Sequence, residues 1–384
     1  MTTVPLKTSY TSTGEKLFWH QEAMSKLRDK VGVPITAWIA SHDVCNHKCS
    51  FCSVGERAGD SLEFRQIEGF LDQLVPLGLK SVILSGGGNP ILYKCRETGK
   101  DFNALVSMIH DKGLEIGLIT NGMPLMNYPV HSPYGIAIRR SWKSVHPDTL
   151  DKMTWIRISM SGIDANHKEQ EVFVPDIDPD KTTLGFSWIM SDSYEEPSHK
   201  HGWVSTPEDI KTPMDNRKVV YAVDRLPFVE SKIKEYVERH SPAYVRLLCN
   251  CLQPDLIPQR HSLLTAMAHR INPDVCFSQN KPPRQPKGCR KIYPHPCLNA
   301  DGWVFPCDST VLNKTAGHKF GSAWRVCRWD EIGELYSKPI TDSVPNNICP
   351  GCVFADQVDL IHDISEGMEF SIPSGNEPEH LNFV

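Results

Sequence analysis

From residue 35 onward, short runs of β-branched and aromatic residues alternate with longer stretches whose apolar positions recur every three or four residues. A short run that is apolar throughout, or at every second place, makes a strand; a three-to-four spacing makes one face of a helix. The pattern predicts strands at ITAWIAS (35–41), SVILSG (81–86), EIGLITNG (115–122), TWIRISMSG (154–162), TTLGFSWIM (182–190) and AYVRLLCN (243–250). Helices are predicted between them at SLEFRQIEGFLDQLVP, with Ser61 as N-cap, at DFNALVSMIHDKG, closed by a glycine, and at PFVESKIKEYVERHS, with Pro227 in its first turn. The crossover at 163–181 is weakly patterned. Six such βα units imply an α/β fold with a parallel sheet. In WIRIS, Trp155, Arg157 and Ser159 share one face and Ile156 and Ile158 the other. Polar residues inside a strand favour a partial (β/α)6 barrel with a wet lumen over an open sheet. The plainer alternative is a polar face near solvent at a strand end.

The pattern changes after residue 252. A helix at PQRHSLLTAMAHRIN leads into KPPRQPKG (281–288), a Pro-rich basic linker or arm, and beyond it lie Cys289, Cys297, Cys307, Cys327, Cys349 and Cys352. This divides the chain into an N-terminal extension (1–34), a core (35–275), a smaller cysteine-organised domain (276–370) and a tail (371–384) expected to be poorly ordered.

Composition narrows the class without naming it. The chain has 384 residues, 40% hydrophobic and 23% charged, as in ordinary globular proteins. No apolar run approaches the roughly 18 residues of a membrane span, and MTTVPLKTSYTSTGEKLFWHQEAM lacks the apolar core of an export signal, so a cytoplasmic setting is expected. A net charge of -5 argues against nucleic-acid binding through a broadly basic surface. A local basic site, Lys281, Arg284, Lys287, Arg290 and Lys291, remains open to a phosphorylated substrate or a nucleic-acid segment, with a solvated linker as the plainer reading. Thirteen cysteines in a long chain without an export signal point to metal or redox chemistry rather than disulfides.

Cys45, Cys49 and Cys52 are spaced C-x3-C-x2-C. Offsets of four and three also fit one buried helix face, but Asn46, His47, Lys48 and Ser50 make the segment a polar loop. A single zinc ion would need a fourth ligand, His47 or a distant residue. Three thiolates from one loop would instead leave one iron of a four-iron cluster open. At the next strand end stands SGGGNP (85–90), whose glycines allow backbone close to a ligand. The third strand ends in ITNG (119–122), and the fourth carries RIS (157–159).

Together these residues resemble the radical S-adenosylmethionine (radical SAM) superfamily, with aromatic Phe51 just before the last cysteine. The resemblance implies a [4Fe-4S] cluster on Cys45, Cys49 and Cys52, with SAM chelated to the open iron. It also implies an electron donor such as flavodoxin or ferredoxin, and a 5'-deoxyadenosyl radical that removes hydrogen from a substrate. Gly86, Gly87, Gly88 and Asn89 would meet the SAM amino group, although Asn89 stands where a glutamate is usual. Thr120, Asn121 and Ser159 would face its ribose and carboxylate. Arg246 shares the inward face of the last strand with Asn250 and could pair with a carboxylate of SAM or substrate, while Cys249, in the CNC at 249–251, points outward.

Read alone, two separated cysteines plus the C-x2-C of CPGC make a four-thiolate site for zinc or a cluster. The Asp-Gly in NADGWVFPC also signals a hairpin. GCRKIYPHPCLNADGWVFPCDS, the later FGS, DEIGELYSKPI and CPGC resemble the SPASM and twitch domains of radical SAM enzymes. No cysteine follows Cys352, so the likeness is to the shorter twitch form, implying one auxiliary [4Fe-4S] cluster on Cys289, Cys307, Cys349 and Cys352. Cys297 or Cys327 could replace Cys289. The implied activity is oxidation or rearrangement of a small-molecule or nucleotide-like substrate. A peptide-modifying maturase is the alternative within the class, activation of a glycyl-radical enzyme is disfavoured by the missing ferredoxin-like cysteine runs, and a zinc-stabilised binding protein is the non-enzyme alternative.

Overall fold

The computed structural model describes residues 9–11, 14–47, 49, 52, 59–122, 130–131, 137–138, 142–163, 171–194, 219–251, 253–308, 324–343 and 351–384. All six predicted strands form: β1 (Thr36–Ile39), β2 (Ser81–Leu84), β3 (Glu115–Thr120), β4 (Trp155–Ser159), β5 (Thr183–Met190) and β6 (Tyr244–Cys249). A seventh, β7 (Cys276–Gln279), extends the edge beyond β6, and all seven run parallel in sequence order. At the other edge β1 pairs in parallel with β8 (Cys297–Leu298), which turns back through β9 (Trp303–Phe305) to β10 (Cys327–Arg328). One ten-stranded sheet therefore runs from the βα core into the cysteine-rich segment.

Helices α1 (Gln21–Arg28), α2 (Phe64–Leu74), α3 (Phe102–Asp111), α4 (Pro147–Leu150), α5 (Ala222–His240), α6 (Ile257–Ile271), α7 (Ile332–Tyr336) and α8 (Ala355–Ser365) complete the main elements. Ser61 does not cap α2. The cap is Glu63, reciprocally bonded with Gln66, and Ser61 bridges to His42 instead. Helix α5 starts at Ala222, so Pro227 lies inside it rather than in the first turn. Pro227 offers no N–H to the Val223 carbonyl, and Val223 lies on the exposed side of the helix.

Alternate strand residues divide between two apolar bodies. Ala37, Ile39, Val82, Leu84, Ile116, Leu118, Ile156 and Ile158 pack outward against Ile67, Phe70, Leu105 and Ile109 of the helices. Trp38, Ile83 and Trp155 face the other way, with Cys297, Phe305 and Phe383. On that inner face Trp38 of β1 and Tyr244 and Arg246 of β6 line one cavity. Five strand spacings in a flat sheet would part them by about 24 Å. The sheet therefore curls around the cavity, as a partial barrel does.

The last residues form its floor, contrary to the expectation of a poorly ordered tail. Phe383 and Val384 are buried, and Thr36 and Ser81, at the starts of β1 and β2, both donate to the Asn382 carbonyl (2.6 and 2.5 Å). His295 Nδ1 lies 2.7 Å from the Val384 carbonyl. From the N-terminal side, buried Lys16 donates to the carbonyls of Ser9 (2.8 Å), His380 (2.7 Å) and Phe383 (3.4 Å). Burial lowers its ammonium to about 7.

Candidate functional site

The loop after β1 is pinched at its base. Asp43 N–H donates to the Asp60 carbonyl and Leu62 N–H to the Ser41 carbonyl, both at 3.0 Å, and the Asp43 carboxylate accepts from Gly59 N–H at 3.0 Å. Cys45, Cys49 and Cys52 lie on this closed loop, each half-buried, and a bond from Cys52 N–H to the Cys49 carbonyl (3.1 Å) shapes the turn between the last two. Phe51 lies outside the described residues.

The glycine-rich turn after β2 clasps that loop by its backbone. Gly86 (φ 63°) and Gly87 (φ 59°) are both left-handed, which side chains disfavour. A Cβ on Gly88 would lie 1.8 Å from the Val44 carbonyl oxygen. Gly88 N–H donates to the His42 carbonyl and Asn89 N–H to the Val44 carbonyl, both at 2.9 Å. These two amides are thus engaged in holding the cysteine loop.

Side chains complete the join. Asn89, only 2% exposed, donates from Nδ2 to Asn46 Oδ1 and to Asn121 Oδ1, each at 3.1 Å, and accepts from Thr120 Oγ1 at 2.9 Å. Asn121 Nδ2 donates to Asn46 Oδ1 (2.9 Å) and reaches the Cys45 thiol (3.5 Å). A carboxylate at position 89 would have no hydrogens to give, which accounts for an amide in this chain. Beside this network, Cys49 Sγ lies 3.7 Å from Ser161 Oγ, which accepts from Ser159 Oγ at 3.2 Å. The cysteine loop, the glycine turn and the ends of β3 and β4 are therefore one constellation. Asn46 and Ser161 were missed as members; their only sequence signal is adjacency to Cys45 and to the strand end carrying Ser159.

Arg246 lies on the inner face level with Ser187 of β5 and, through it, with Ser159. Cys249 packs with the outer core, and burial lifts its thiol to about 11, as expected of an outward residue. The segment 281–291 is not a solvated arm. Arg284 pairs with Asp356 (2.8 Å) and Asp359 (2.5 Å), Lys287 with Asp363 (2.6 Å), and Arg290 with Glu366 (2.5 Å) and Asp342 (3.3 Å). Lys281 and Lys291 face the cavity instead.

The predicted hairpin forms between β8 and β9 around Gly302 (φ 80°), with Asp301 Oδ1 accepting from Trp303 N–H at 3.2 Å. It presents Cys307 just beyond β9. Cys297 is fully buried, Cys289 packs beside it, and its thiol is pushed well up by burial, then by Asp308 and by Cys307 and Cys289. These three cysteines are neighbours. Cys327 is not among them: it pairs with Val304 and packs into the outer core, where burial lifts it to about 12. Backbone bonds tie Cys352 to Arg284, and Cys349 and the FGS segment lie outside the described residues. Among the described residues no three His, Cys, Asp or Glu side chains surround a single point closely enough for one metal ion. A four-iron cluster does not require that, because each thiolate takes a different iron. Three soft thiol donors on one loop, with Asn121 beside the first, fit such a group.

Among the described residues no helix is long and apolar enough to cross a membrane. Residues 39–153 match the family model described as the Radical SAM superfamily. An S-adenosylmethionine-dependent nucleotide dehydratase of Selenomonas ruminantium is 30% identical over 110 residues, which are 28% of this chain and 38% of that protein. The chain thus matches well under half of that relative's length. Among solved structures, Streptococcus suis SuiB bound to precursor peptide SuiA is 13% identical, with 92% of this chain and 79% of that one covered and a TM-score of 0.45. Native anSMEcpe with bound AdoMet and Cp18Cys peptide is 12% identical, with 79% of each chain covered and a TM-score of 0.46. The family match spans the cysteine loop, the glycine turn and the end of β3 that the network joins, so over residues 39–153 the chain is similar to the radical SAM superfamily.

Proposed function

We propose that this chain is a radical SAM enzyme acting on a small-molecule or nucleotide-like substrate held in the cavity. The observation that carries the reading is the network of Asn46, Asn89, Thr120 and Asn121, which ties three separate strand-end motifs to the Cys45 thiol. Cys45, Cys49 and Cys52 would hold a [4Fe-4S] cluster which, when bound, supplies the electron that cleaves SAM to a 5'-deoxyadenosyl radical.

The chain's own part is to bind, orient and exclude water. Gly86 and Gly87 would bring backbone close to the SAM amino group, with Gly88 and Asn89 fixing the turn on which they stand. Thr120, Asn121 and Ser159 would give a polar ledge for the ribose and carboxylate, and Arg246 lies level with Ser159. The apolar inner face and the floor keep solvent from the reacting atoms. A cavity closed below suits a small substrate, and the Selenomonas ruminantium relative is itself named for a nucleotide. Cys307 with Cys289 or Cys297, together with Cys349 and Cys352, would hold an auxiliary [4Fe-4S] cluster. A cytoplasmic setting and a flavodoxin or ferredoxin donor complete the reading.

Anaerobic reconstitution followed by iron and zinc analysis and measurement of 5'-deoxyadenosine tests it. About eight irons per chain are expected, falling to about four in Cys307→Ser, with SAM cleavage lost in Cys45→Ala, Cys49→Ala and Cys52→Ala. Stoichiometric zinc without iron, or SAM cleavage by the triple variant, would overturn the proposal.

A further inference from the structure

The cavity on the inner face carries more positive charge than its own lining neutralises. Arg157 of β4, Arg246 of β6, Lys281 just beyond β7 and Lys291 just before β8 all line it, and Asp308 is the one carboxylate in the described lining. Lys16 also reaches it, but its ammonium is committed to the floor carbonyls. The Nε atoms of Arg157 and Arg246 are buried and have no hydrogen-bond partner. The Lys281 and Lys291 ammonium groups stand 4.5 and 4.8 Å from the Phe354 ring centre, and Lys291 also donates to Gln357 Oε1 at 3.0 Å. Burial, then Arg246, lowers Lys281 to about 7; burial, then Arg157, lowers Arg246 well below its ordinary value. Held this close in a poorly hydrated space, the cations destabilise one another until an anion enters.

We propose that this cavity seats the phosphoryl groups of a phosphorylated substrate on Arg157, Arg246, Lys281 and Lys291, an inference that rests on the reading of the cavity as the substrate chamber. One SAM carboxylate could satisfy Arg246, yet Arg157, which also meets the Tyr244 hydroxyl, Lys281 and Lys291 would still share Asp308 as the one negative charge in the described lining. That surplus calls for a multiply charged ligand rather than a second carboxylate. Two guanidiniums add forked donors that match phosphate oxygens. Arg157 lies two residues below Ser159 on the same strand face, about 6.6 Å along it. Phosphoryl groups held there leave the rest of the substrate directed toward the cysteine loop. Trp38, Ile83, Trp155 and Phe383 line the same space and leave less of it to water, which strengthens each charge contact.

The test is anaerobic titration of the reconstituted full chain, followed by tryptophan fluorescence because Trp38 and Trp155 line the cavity. Probes are orthophosphate, pyrophosphate, tripolyphosphate, the four ribonucleoside triphosphates and the four free nucleosides. Tripolyphosphate is expected to bind at least tenfold more tightly than orthophosphate, with SAM present. Binding should weaken at least tenfold in Arg157→Gln and in Lys281→Gln. Lys281 lies on a loop beyond β7 rather than within the sheet, so its variant keeps the test decisive if Arg157→Gln melts early. Tighter nucleoside triphosphates with silent nucleosides identify a nucleotide substrate; tripolyphosphate alone identifies another phosphorylated class, and both support the site. The proposal is overturned if no polyphosphate binds, if both variants bind as well as the parent, or if saturating SAM abolishes binding, since the cations would then serve SAM. Because binding is read without turnover, a chain that cleaves SAM but ignores polyphosphate refutes this site alone. One that binds polyphosphate but never cleaves SAM refutes the proposed function alone.

Discussion

Replacing Asn89 by aspartate tests whether the amide network, rather than contact with SAM, sets the identity of that residue. Asn89→Asp keeps shape and volume but removes both hydrogens that Nδ2 gives to Asn46 and Asn121. Two hydrogen bonds at about 1 kcal/mol each are lost, and a charge placed beside two carbonyl oxygens in a site 2% exposed adds at least about 1 kcal/mol more. For 384 residues the unfolding entropy is about 0.8 kcal/mol/K, so a loss of about 3 kcal/mol lowers the melting temperature by about 4 °C.

The pH dependence supplies a second readout. Burial and neighbouring acceptors hold the new carboxyl's folded-state pKa above its unfolded value near 3.9. The folded form then binds the extra proton, so the variant loses stability relative to the parent as pH rises from about 4 toward the folded-state pKa. Thermal melts followed by far-UV circular dichroism at pH 5.5 and 7.5 should show a smaller deficit at the lower pH. A variant that melts within 1 °C of the parent at both pH values and binds SAM more tightly would refute the reasoning, because the side chain would then be turned toward the cofactor.

Gly88→Ala drives a Cβ into the Val44 carbonyl, a backbone atom that cannot swing aside. The expected result is loss of about four irons from the reconstituted chain while those of the auxiliary site remain, read by iron analysis. Lys281 is lowered to about 7 from 10.5, so above pH 7 the unfolded chain holds more protons than the folded one and stability rises with pH toward about 10. Anaerobic urea unfolding of ligand-free protein at pH 7 and pH 9 should show a steeper rise for the parent than for Lys281→Gln.

Much of the candidate site was legible because its parts are local. Each of CNHKCSFC, SGGGNP, ITNG and RIS is contiguous and lies at or just beyond the end of a strand whose β-branched run is itself easy to read, and described residues of all four meet. The unread parts depend on partners far along the chain. In β7 only Cys276 and Phe277 are apolar, and the strand exists because β6 offers it an edge. Glu63 rather than Ser61 caps α2 because Gln66 can answer it three residues on. The basic segment looked solvated because the carboxylates of α8 that neutralise it lie about 70 residues away.

This division has a chemical origin. A metal-bound cofactor needs several ligands at fixed mutual distances, and neighbours in sequence meet that demand with the fewest degrees of freedom, so cofactor chemistry leaves motifs. A substrate chamber needs only walls. Here Arg157 and Arg246 come from strands, Lys281 and Lys291 from the two ends of an apparent linker, and His380 and Phe383 from an apparent tail. None of these segments has a periodicity or spacing that announces its role. The family resemblance could therefore be read from the cysteine loop, whereas the charge of the cavity becomes visible only when the curled sheet brings Arg157, Arg246, Lys281 and Lys291 and one carboxylate around one space.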